Sequence, residues 1–326
     1  MIVVTGASGL VGGNLVRALL AQRQRVRALV HHDRRALAGL ELETISADLT
    51  DPNSLQQAFQ GAEVVYHLAS SISIRMDDWD ELERINVSGT RNVVQACQRC
   101  GVRRLVHFSS IHAYRHDPFD RSLDETRPLL TGSHAPPYER SKVAAELEVR
   151  RAPELGLESV IIVPTAIVGP NDFRPSYFGQ ALQLLACGRI PALVRGGYDW
   201  VDVRDVVAGA IQAERMARSG SRYILSGHWH TLQEVARVTA ENTGQPAPRL
   251  VVPFWLALVA QPLLSRLARL NGSQPLYTQA MLNALRSNQQ ISHARATADL
   301  GYAPRPFPQT LADTLAWFSD QQGGHA

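Results

Sequence analysis

The first twenty residues constrain the fold of this chain most strongly. A short β-branched run at residues 2–4 is followed by Gly6, Gly9 and Gly12, and then by leucines at helical spacing. This order predicts a strand, a tight turn and a helix. The glycines of such a unit let the backbone approach a pyrophosphate, which binds at the free N–H groups of the helix. We therefore expect a dinucleotide site, against the alternative of an ordinary strand-to-helix turn.

Apolar segments and helical patterns alternate through the first half of the chain. The predicted strands are residues 2–4, 26–30, 43–46, 64–68, 105–109 and 160–164. The alternation is typical of an α/β fold with a doubly wound parallel sheet, the Rossmann fold. We expect a dinucleotide-binding domain at residues 1–168. Residues 169–326 should mainly form a smaller α/β substrate-binding lobe, with strand exchange back to the Rossmann sheet.

Beyond residue 169 the pattern becomes more helical. Helices are expected near residues 178–187, 203–216 and 231–243, with short strands near 200–201 and 223–226. No internal repeat is present, so a repeat architecture is not indicated.

The loop after the second strand bears on the choice of cofactor. A carboxylate at the end of this strand would favour NAD, but Val30 stands there. His31 and Arg34, in the run His31-His32-Asp33-Arg34-Arg35, suit the 2′-phosphate of NADP. The loop favours NADP, while NAD stays possible because a basic surface loop would look the same.

Further cofactor contacts are expected from residues near the strand ends. Asp48 and Leu49, after the third strand, are placed where an adenine ring would lie, and small residues at the end of the fourth strand would let the cofactor lie close. The predicted contacts beyond the three glycines and the basic loop are Ser8, Leu10, Val11, Asp48, Leu49, Leu68, Ala69, Ser70, Ser109, Tyr138, Lys142, Pro164 and Ile167.

Tyr138 and Lys142 are four residues apart within an expected helix and so share one face. A free tyrosine has a pKa of about 10, and a positive charge nearby stabilises the phenolate and lowers that pKa. The pair can then exchange protons as a general acid and base. A solvated helix face is the alternative for this motif taken alone.

Taken together and in order, the motifs resemble those of the extended short-chain dehydrogenase/reductases. The similarity is greatest to the dihydroflavonol reductase and 3β-hydroxysteroid dehydrogenase branch, including bacterial proteins described as hopanoid-associated sugar epimerases. The motifs are the three glycines, Asp48-Leu49, His67-Leu-Ala-Ser70, Asn86 in Ile-Asn-Val-Ser-Gly-Thr, Phe108-Ser109-Ser110, Tyr138 with Lys142, and the stretch from Pro164 through Gly169-Pro-Asn-Asp-Phe-Arg-Pro175.

The resemblance implies a role for each matching residue. Tyr138 would be the acid/base, and Lys142 would lower its pKa and hold the nicotinamide ribose. Ser110, selected over Ser109 by its spacing to Tyr114, would hydrogen-bond the substrate oxygen. Asn86 would brace the helix backbone and a water leading to the lysine, with a helix-cap asparagine as the alternative.

The resemblance also implies a class of reaction. We expect NADP(H)-dependent reduction of a ketone or aldehyde to an alcohol. An NAD(P)-dependent sugar-nucleotide epimerase and a non-catalytic redox sensor are the alternatives. Ile111-His112 stands where the dehydratases of the superfamily carry Asp-Glu, which argues against dehydration.

Substrate contacts are expected from aromatic residues and from one apolar segment. His112, Phe173, Tyr177, Tyr198 and Trp200 are the wall candidates. Residues 250–264 form the most apolar segment, too short and Pro-interrupted to span a bilayer. A core or dimer helix is one interpretation of it. A lid over a hydrophobic substrate, or a weak membrane-surface contact aided by Arg266 and Arg269, is the other.

Composition excludes several classes. The net charge of +3 on 326 residues, without a basic stripe, argues against nucleic acid. Cys97, Cys100 and Cys187 give an odd count that fits a reducing compartment, and the first pair is expected to be buried in a helix rather than redox-active. No metal is implied. No signal segment is visible, so we expect a cytoplasmic protein, and family resemblance suggests a homodimer.

Overall fold

A parallel sheet of seven strands forms the centre of the computed structural model, which describes residues 1–31, 33–72, 78–132, 135–270 and 279–323. The strands in the described residues are Ile2–Thr5 (β1), Val26–Val30 (β2), Glu43–Ser46 (β3), Val64–His67 (β4), Arg104–Phe108 (β5), Glu158–Pro164 (β6), Ala166–Val168 (β7), Ala192–Val194 (β8), Gly197–Asp202 (β9), Ser221–Leu225 (β10), His228–Thr231 (β11) and Leu250–Val252 (β12). The order of strands in the large sheet is β10-β6-β5-β4-β1-β2-β3.

Helices connect the strands and cover the sheet. The α-helices are Leu10–Ala21 (α1), Pro52–Phe59 (α2), Trp79–Leu82 (α3), Gly89–Arg99 (α4), Pro137–Arg150 (α5), Tyr177–Ala186 (α6), Val203–Met216 (α7), Leu232–Thr243 (α8), Phe254–Leu270 (α9), Gln279–Ala284 (α10), Ala294–Leu300 (α11) and Phe307–Gly323 (α12). A π-helical turn, Glu83–Ser88, joins α3 to α4, and 3₁₀ turns lie at Arg35–Leu37, Ile111–Ala113 and Pro153–Leu155.

The chain reverses its winding direction at β1. Ile2 of this strand pairs with Val26 of β2 on one side and with Val64 of β4 on the other. Such a reversal leaves a crevice at the carboxyl ends of the strands, where ligands bind in open α/β sheets. The expected doubly wound Rossmann fold is confirmed.

Both faces of the large sheet are buried, which explains the continuous apolar runs of its strands. In β1, Val4 packs into the core cluster that also contains Leu15 of α1 and Val206 of α7. Its neighbour Val3 points to the opposite face and packs with Leu55 of α2. Successive side chains of one strand therefore anchor two separate helix layers.

The second half of the chain supplies both a separate lobe and part of the large sheet. The lobe contains β11-β9-β7 and β12-β8, with α6, α8 and α12 packed around them. β10 pairs in parallel with β6 at the edge of the large sheet, and α7 packs against α1. The division at residues 168 and 169 remains a prediction.

Local capping explains why the predicted helix at 231–243 begins where it does. Thr231 caps α8 by accepting a hydrogen bond from the Glu234 N–H, and the Glu234 carboxylate accepts one from the Thr231 N–H. This capping box satisfies two backbone donors at the helix start.

Cys97 lies on α4, and Cys100 is the residue that immediately follows this helix. Cys97 is fully buried, and burial raises the pKa of its thiol. Cys100 is partly buried and its Sγ donates to the Gln56 carbonyl at 3.3 Å. Cys187 is exposed. A buried thiol with a raised pKa is a poor nucleophile.

The glycine turn gives a stability prediction. A Cβ on Gly12 would lie 2.1 Å from the Gly6 carbonyl oxygen, which is backbone and cannot move aside. We expect Gly12→Ala to lower the free energy of unfolding by at least about 3 kcal/mol. Gly9→Ala is the control, because its Cβ would lie 3.5 Å from the nearest atom, and its cost should stay below about 1 kcal/mol. Urea unfolding of both variants tests this, and equal losses would contradict it.

Candidate active site

A cleft of about 1060 Å³ lies at the carboxyl ends of the parallel strands, on the side of the smaller lobe. Ligand sites for single drug-sized molecules occupy about 300–1,000 Å³, so this cleft can hold a dinucleotide together with a substrate. The predicted cofactor residues that line it are Gly6, Ser8, Gly9, Leu10, Val11, Gly12, His31, Asp48, Leu49, Leu68, Ala69, Ser70, Ser109, Tyr138, Lys142, Pro164 and Ile167.

The start of α1 fits the pyrophosphate expected there. Gly9 is the N-cap residue, and no side chain caps the helix. No acidic residue lies in the first turn. The first N–H groups of a helix without a capping side chain are donors for an anion, aided by the helix dipole. These residues therefore fit a dinucleotide by their own geometry.

The corner beside β2 differs from the prediction. Arg34 is exposed at the start of the turn Arg35–Leu37 and is not among the cleft-lining residues, so the structure does not support its predicted contact. Asp33 and Arg174 line the cleft instead, together with His31. The sequence analysis missed Arg174 because it is 140 residues away from this loop along the chain.

Asp33 is held in place by two neighbours. Its backbone oxygen accepts a hydrogen bond from Ser8 Oγ at 2.5 Å. Its carboxylate pairs with Arg35 at 2.6 Å, and this hydrogen-bonded guanidinium lowers the pKa of Asp33 to about 2, with Arg174 adding to the effect. The corner thus brings together the Asp33 carboxylate, the guanidinium groups of Arg35 and Arg174, and the His31 imidazole. His32 lies outside the described residues.

Tyr138 and Ser110 both line the cleft, and Ser110 lies near enough to the Tyr138 hydroxyl to influence its pKa. Tyr138 lies in the first turn of α5, whose first residue is Pro137, a favoured position for proline. Ser110 follows β5 and begins the turn Ile111–Ala113, where its Oγ also accepts a hydrogen bond from the His112 N–H at 3.3 Å. The two hydroxyls therefore come from separate elements to one point of the cleft.

The pKa of Tyr138 departs from the expectation. Burial raises it to about 12, the hydrogen bond to Ser110 opposes that rise, and the nearby Glu139 adds to it. Lys142 was expected to lower this pKa. Instead its Nζ donates to the Phe108 carbonyl at 2.8 Å. The groups of the protein alone therefore favour the neutral phenol strongly.

Lys142 is itself perturbed. Its side chain is buried, and burial lowers its pKa to about 8, against the opposing charge of Glu146 one helical turn further along α5. A buried ammonium with one carbonyl partner has hydrogen-bonding capacity left, since the group carries three donors. Lys142 is thus able to bind a further oxygen in the cleft.

The hydrogen bonds of the two adjacent serines distinguish their roles. Ser109 Oγ donates to Glu146 Oε2 at 2.5 Å, and Tyr114 Oη donates to Glu146 Oε1 at 3.2 Å. Ser109 is therefore engaged in a buried cluster, whereas Ser110 lines the cleft near the Tyr138 hydroxyl. The choice of Ser110 over Ser109 as the catalytic serine stays a prediction.

Asn86 connects the loop after β4 to α5. Its Oδ1 accepts from the Ser71 N–H at 2.7 Å, and its Nδ2 donates to the Ser71 carbonyl at 2.9 Å and to Ser141 Oγ at 3.0 Å. Ser141 Oγ donates in turn to the Tyr138 carbonyl at 2.7 Å. Asn86 lies inside the π-helical turn, so the helix-cap alternative is wrong.

A second buried network supports the same loop. Thr90 Oγ1 donates to the Asn86 carbonyl at 2.6 Å, so it accepts from His67 Nε2 at 3.0 Å. His67 Nδ1 must then accept from Thr5 Oγ1 at 2.8 Å, and Thr5 accepts from the Leu68 N–H at 3.2 Å. Burial lowers the pKa of His67 to about 3, so the ring stays neutral and its tautomer is fixed.

The predicted substrate wall is only partly placed at the cleft. His112, Tyr177 and Tyr198 line it, together with Phe178, Met281 and Ile291. Trp200 does not line it. This residue is buried in the core of the lobe, where its Nε1 donates to the His230 carbonyl.

Phe173 also lies elsewhere. Its ring packs edge to face against Trp317 and lies below the guanidinium of Arg17. The structure therefore does not support wall roles for Phe173 or Trp200. Sequence position alone does not distinguish an aromatic side chain that packs in the core from one that contacts a ligand.

Two acidic residues at the cleft were missed by the sequence analysis. Burial raises the pKa of Glu139 to about 7, and its Oε1 lies 4.0 Å from His112 Nδ1. Asp172 accepts from Ser176 through Oδ2, but its buried Oδ1 has no hydrogen-bond partner. Glu139 lies between Tyr138 and Lys142 and Asp172 lies in the Gly169–Pro175 stretch, but only tertiary burial makes either carboxylate unusual.

Comparison with known proteins agrees with this architecture. The model of the NAD dependent epimerase/dehydratase family matches residues 2–225. Sterol demethylase protein B of Methylococcus capsulatus is 38% identical, with 98% of each chain covered. A 3-beta-hydroxysteroid dehydrogenase of Mycolicibacterium neoaurum is 27% identical, covering 98% of this chain and 91% of the relative.

A solved structure extends the match to three dimensions. The crystal structure of gox2253 is 32% identical, covers 98% of both chains and superposes with a TM-score of 0.85. The resemblance inferred from the motifs is confirmed. The chain is a member of the NAD dependent epimerase/dehydratase family, an extended short-chain dehydrogenase/reductase and thus an NAD(P)-dependent enzyme acting on hydroxyl and carbonyl groups.

Proposed function

We propose that the protein is an NADP(H)-dependent reductase that converts the ketone or aldehyde of a hydrophobic substrate to an alcohol. The meeting of Ser110, Tyr138 and the buried ammonium of Lys142 in one cleft is the observation that carries this proposal. A carbonyl oxygen bound to both hydroxyls would receive a hydrogen bond and a proton at one point. The bound nicotinamide supplies the hydride.

Each side chain has a separate task in this reaction. Tyr138 gives its proton to the carbonyl oxygen, and Ser110 orients that oxygen and stabilises its developing charge. Lys142 binds the ribose hydroxyls and stabilises the phenolate once the proton has left. Lowering the Tyr138 pKa from about 12 to about 9 corresponds to roughly 4 kcal/mol of differential stabilisation. A buried cation within a few ångströms of the phenolate would provide energies of this size.

The residues at the far side of the cleft support an apolar substrate. Tyr177, Phe178, Met281 and Ile291 present aromatic and aliphatic surface there. Relatives named for sterol and steroid reactions are similar over nearly the whole chain. A flat, largely hydrocarbon substrate with one reacting oxygen would match this combination.

The choice of NADP rests on the corner beside β2. His31 and Arg174 line it, and Arg35 neutralises the Asp33 carboxylate from outside. Guanidinium groups recognise phosphate through paired hydrogen bonds. NAD remains the alternative cofactor, because a carboxylate in this corner can also accept from ribose hydroxyls.

Two other functions lead to different observations. A sugar-nucleotide epimerase would use the same Ser110, Tyr138 and Lys142 but retain its cofactor through each turnover. It would purify with bound nucleotide and act without added NADPH. A non-catalytic redox sensor would bind NADP and turn over no carbonyl. Consumption of NADPH in stoichiometric amount with an aryl ketone, steroid or aldehyde supports the reductase.

The first prediction concerns the proton donor. Tyr138→Phe should lower kcat by roughly a thousandfold, the range that general acid catalysis contributes, while the Kd for NADPH changes less than about threefold. Tyr177→Phe is the control, because this phenol lines the cleft but lies on α6 rather than on α5. Steady-state kinetics and cofactor titration measure both effects. A Tyr138→Phe enzyme that kept most of its rate would contradict the assignment.

The second prediction concerns Glu139, whose charge acts against the Tyr138 phenolate. Its folded pKa of about 7 lies above the usual 4.5, so the folded state binds the proton more tightly and wild-type stability falls as pH rises through this range. Relative to Glu139→Gln, the wild type should lose about 2 kcal/mol between pH 5 and pH 8, after allowance for partial exposure.

Urea unfolding at the two pH values measures this difference. The control is Glu148→Gln on the same helix, where the carboxylate pairs with Arg91 at 2.9 Å near the surface. A pair of this kind near the surface contributes at most about 1 kcal/mol, so its loss should lower the free energy of unfolding by no more than that. Parallel stability curves for wild type and Glu139→Gln would show that Glu139 is not perturbed.

The third prediction concerns cofactor preference. Arg174→Ala should raise the KM for NADPH by about tenfold and the KM for NADH by less than about twofold, because only NADPH carries the 2′-phosphate. Arg34→Ala is the matched control in the neighbouring loop, since Arg34 does not line the cleft. Equal effects of Arg174→Ala on the two cofactors would oppose the NADP assignment.

A further inference from the structure

Helix α9 carries a stripe of large apolar side chains on its outer face. Trp255, Val259 and Leu263 follow one another at four-residue intervals and are 65%, 72% and 63% exposed. Leu256 beside them is 42% exposed. Residues four apart lie on the same side of a helix, so these side chains form one continuous surface, named here the α9 face.

The opposite side of α9 already packs against the protein. Ala257 is buried in the core of the smaller lobe, and Phe254 and Leu258 pack against that core. The helix is therefore apolar on both its inner and its outer sides. A helix of this kind is ordinarily covered on all sides, and a contiguous exposed apolar surface marks an interaction site.

The sequence segment that contains α9 carries formal charge of a single sign. Between Glu241 and Asp299 the sequence contains no aspartate, glutamate or lysine, but it contains five arginines. Because the whole chain has a net charge of only +3, the rest of the chain is net negative. The arginines in this segment are Arg249, Arg266, Arg269, Arg286 and Arg295.

Two of these arginines can be placed relative to the α9 face. Arg249 is exposed immediately before β12, where Leu250 is 61% exposed. Arg286 is exposed, and its guanidinium lies 5.2 Å from the ring centroid of Phe254, at the start of α9. The side chains of Arg266 and Arg269 lie outside what the structure describes. Cations therefore border the apolar stripe at its N-terminal end.

The α9 face is connected to the substrate side of the cleft. Helix α10 packs against α9, and its Met281 and Ala284 line the cleft. Within the described residues, no helix has both the length and the apolar character needed to cross a bilayer. A surface contact rather than a span is the mode that these dimensions allow.

We infer that the α9 face docks the enzyme on an anionic lipid surface, with its apolar stripe at the boundary between headgroups and acyl chains. Arginines bordering the stripe would bind the acidic headgroups. A second copy of this chain is the less favourable partner. A twofold contact would place two segments with five arginines and no acidic residue against each other, and their like charges would repel. Docking deepens the proposed function, since an apolar substrate would reach the cleft from the bilayer.

Vesicle binding of the full-length protein tests this inference. Sedimentation with vesicles of phosphatidylcholine alone is compared with an equal mixture of phosphatidylcholine and phosphatidylglycerol. We expect binding to the mixed vesicles to be at least about tenfold tighter and to weaken as salt is raised. The double variant Trp255→Ser/Val259→Ser should lose roughly tenfold in affinity for the mixed vesicles.

The controls separate docking from folding and from catalysis. Met216→Ser and Leu155→Ser remove apolar side chains that are 61% and 57% exposed elsewhere, and they should change vesicle affinity less than about twofold. Turnover of a water-soluble ketone should be the same in every variant. If the wild type binds vesicles but turns over no carbonyl, the proposed function fails and the docking stands.

Three outcomes would overturn the inference. Wild type that binds neither type of vesicle excludes a lipid surface. If wild type and the double variant bind the mixed vesicles with equal affinity, the lipid contact does not lie on the α9 face. A dimer in sedimentation velocity that Val259→Ser converts to monomers assigns the face to a second copy of the chain.

Discussion

The burial of a phenol and an ammonium in one cleft wall is the constraint on which the active site depends. Removal from water raises the pKa of Tyr138 to about 12 and lowers that of Lys142 to about 8, so both groups are held against their charged forms. A phenol in this state donates its proton poorly until further positive charge or hydrogen bonding stabilises the phenolate. We propose that the site gains its reactivity when the cofactor and substrate are bound. Ser110 already opposes the rise in the pKa of Tyr138.

The parallel sheet supplies the rigidity that this arrangement needs. The Phe108 carbonyl, which accepts from Lys142, is at the end of β5, and Ser110 lies two residues further along the chain. Tyr138 lies on α5. Asn86 ties α5, through Ser141, to the loop after β4. His67 holds the other side of that loop with a tautomer fixed by two threonines. Buried hydrogen bonds thus link the loop after β4 to α5. Removing one partner of such a bond lowers the free energy of unfolding most, because the other partner stays buried without a hydrogen bond.

The sequence predicted the parts of the fold whose signals are local. Gly6, Gly9 and Gly12 mark a tight backbone turn that has no room for a Cβ at position 12. Continuous apolar runs in the strands mark a sheet that is buried on both faces. The sequence could not predict features that depend on tertiary approach. Arg174 lines the corner beside β2 although it lies in a distant loop of the sequence. Trp200 is buried in a core that later segments of the chain complete. The pKa of Glu139 is raised by burial, which the sequence does not show. Beyond residue 243 a helix is one interpretation of residues 250–264, where α9 begins, whereas weak periodicity leaves α10, α11 and α12 unassigned.

We propose that Tyr138, which is neutral in the protein's own environment, is made ionisable by the charges that meet in the cleft when the cofactor is bound. Carbon-13 NMR of tyrosines labelled at the ring Cζ, with Tyr138→Phe used to assign the signal, measures its titration directly. Without added cofactor the signal should titrate above pH 11, and with saturating NADP⁺ its pKa should fall by about two units or more. A Tyr138 signal that titrates at the same pH with and without NADP⁺ would contradict the account.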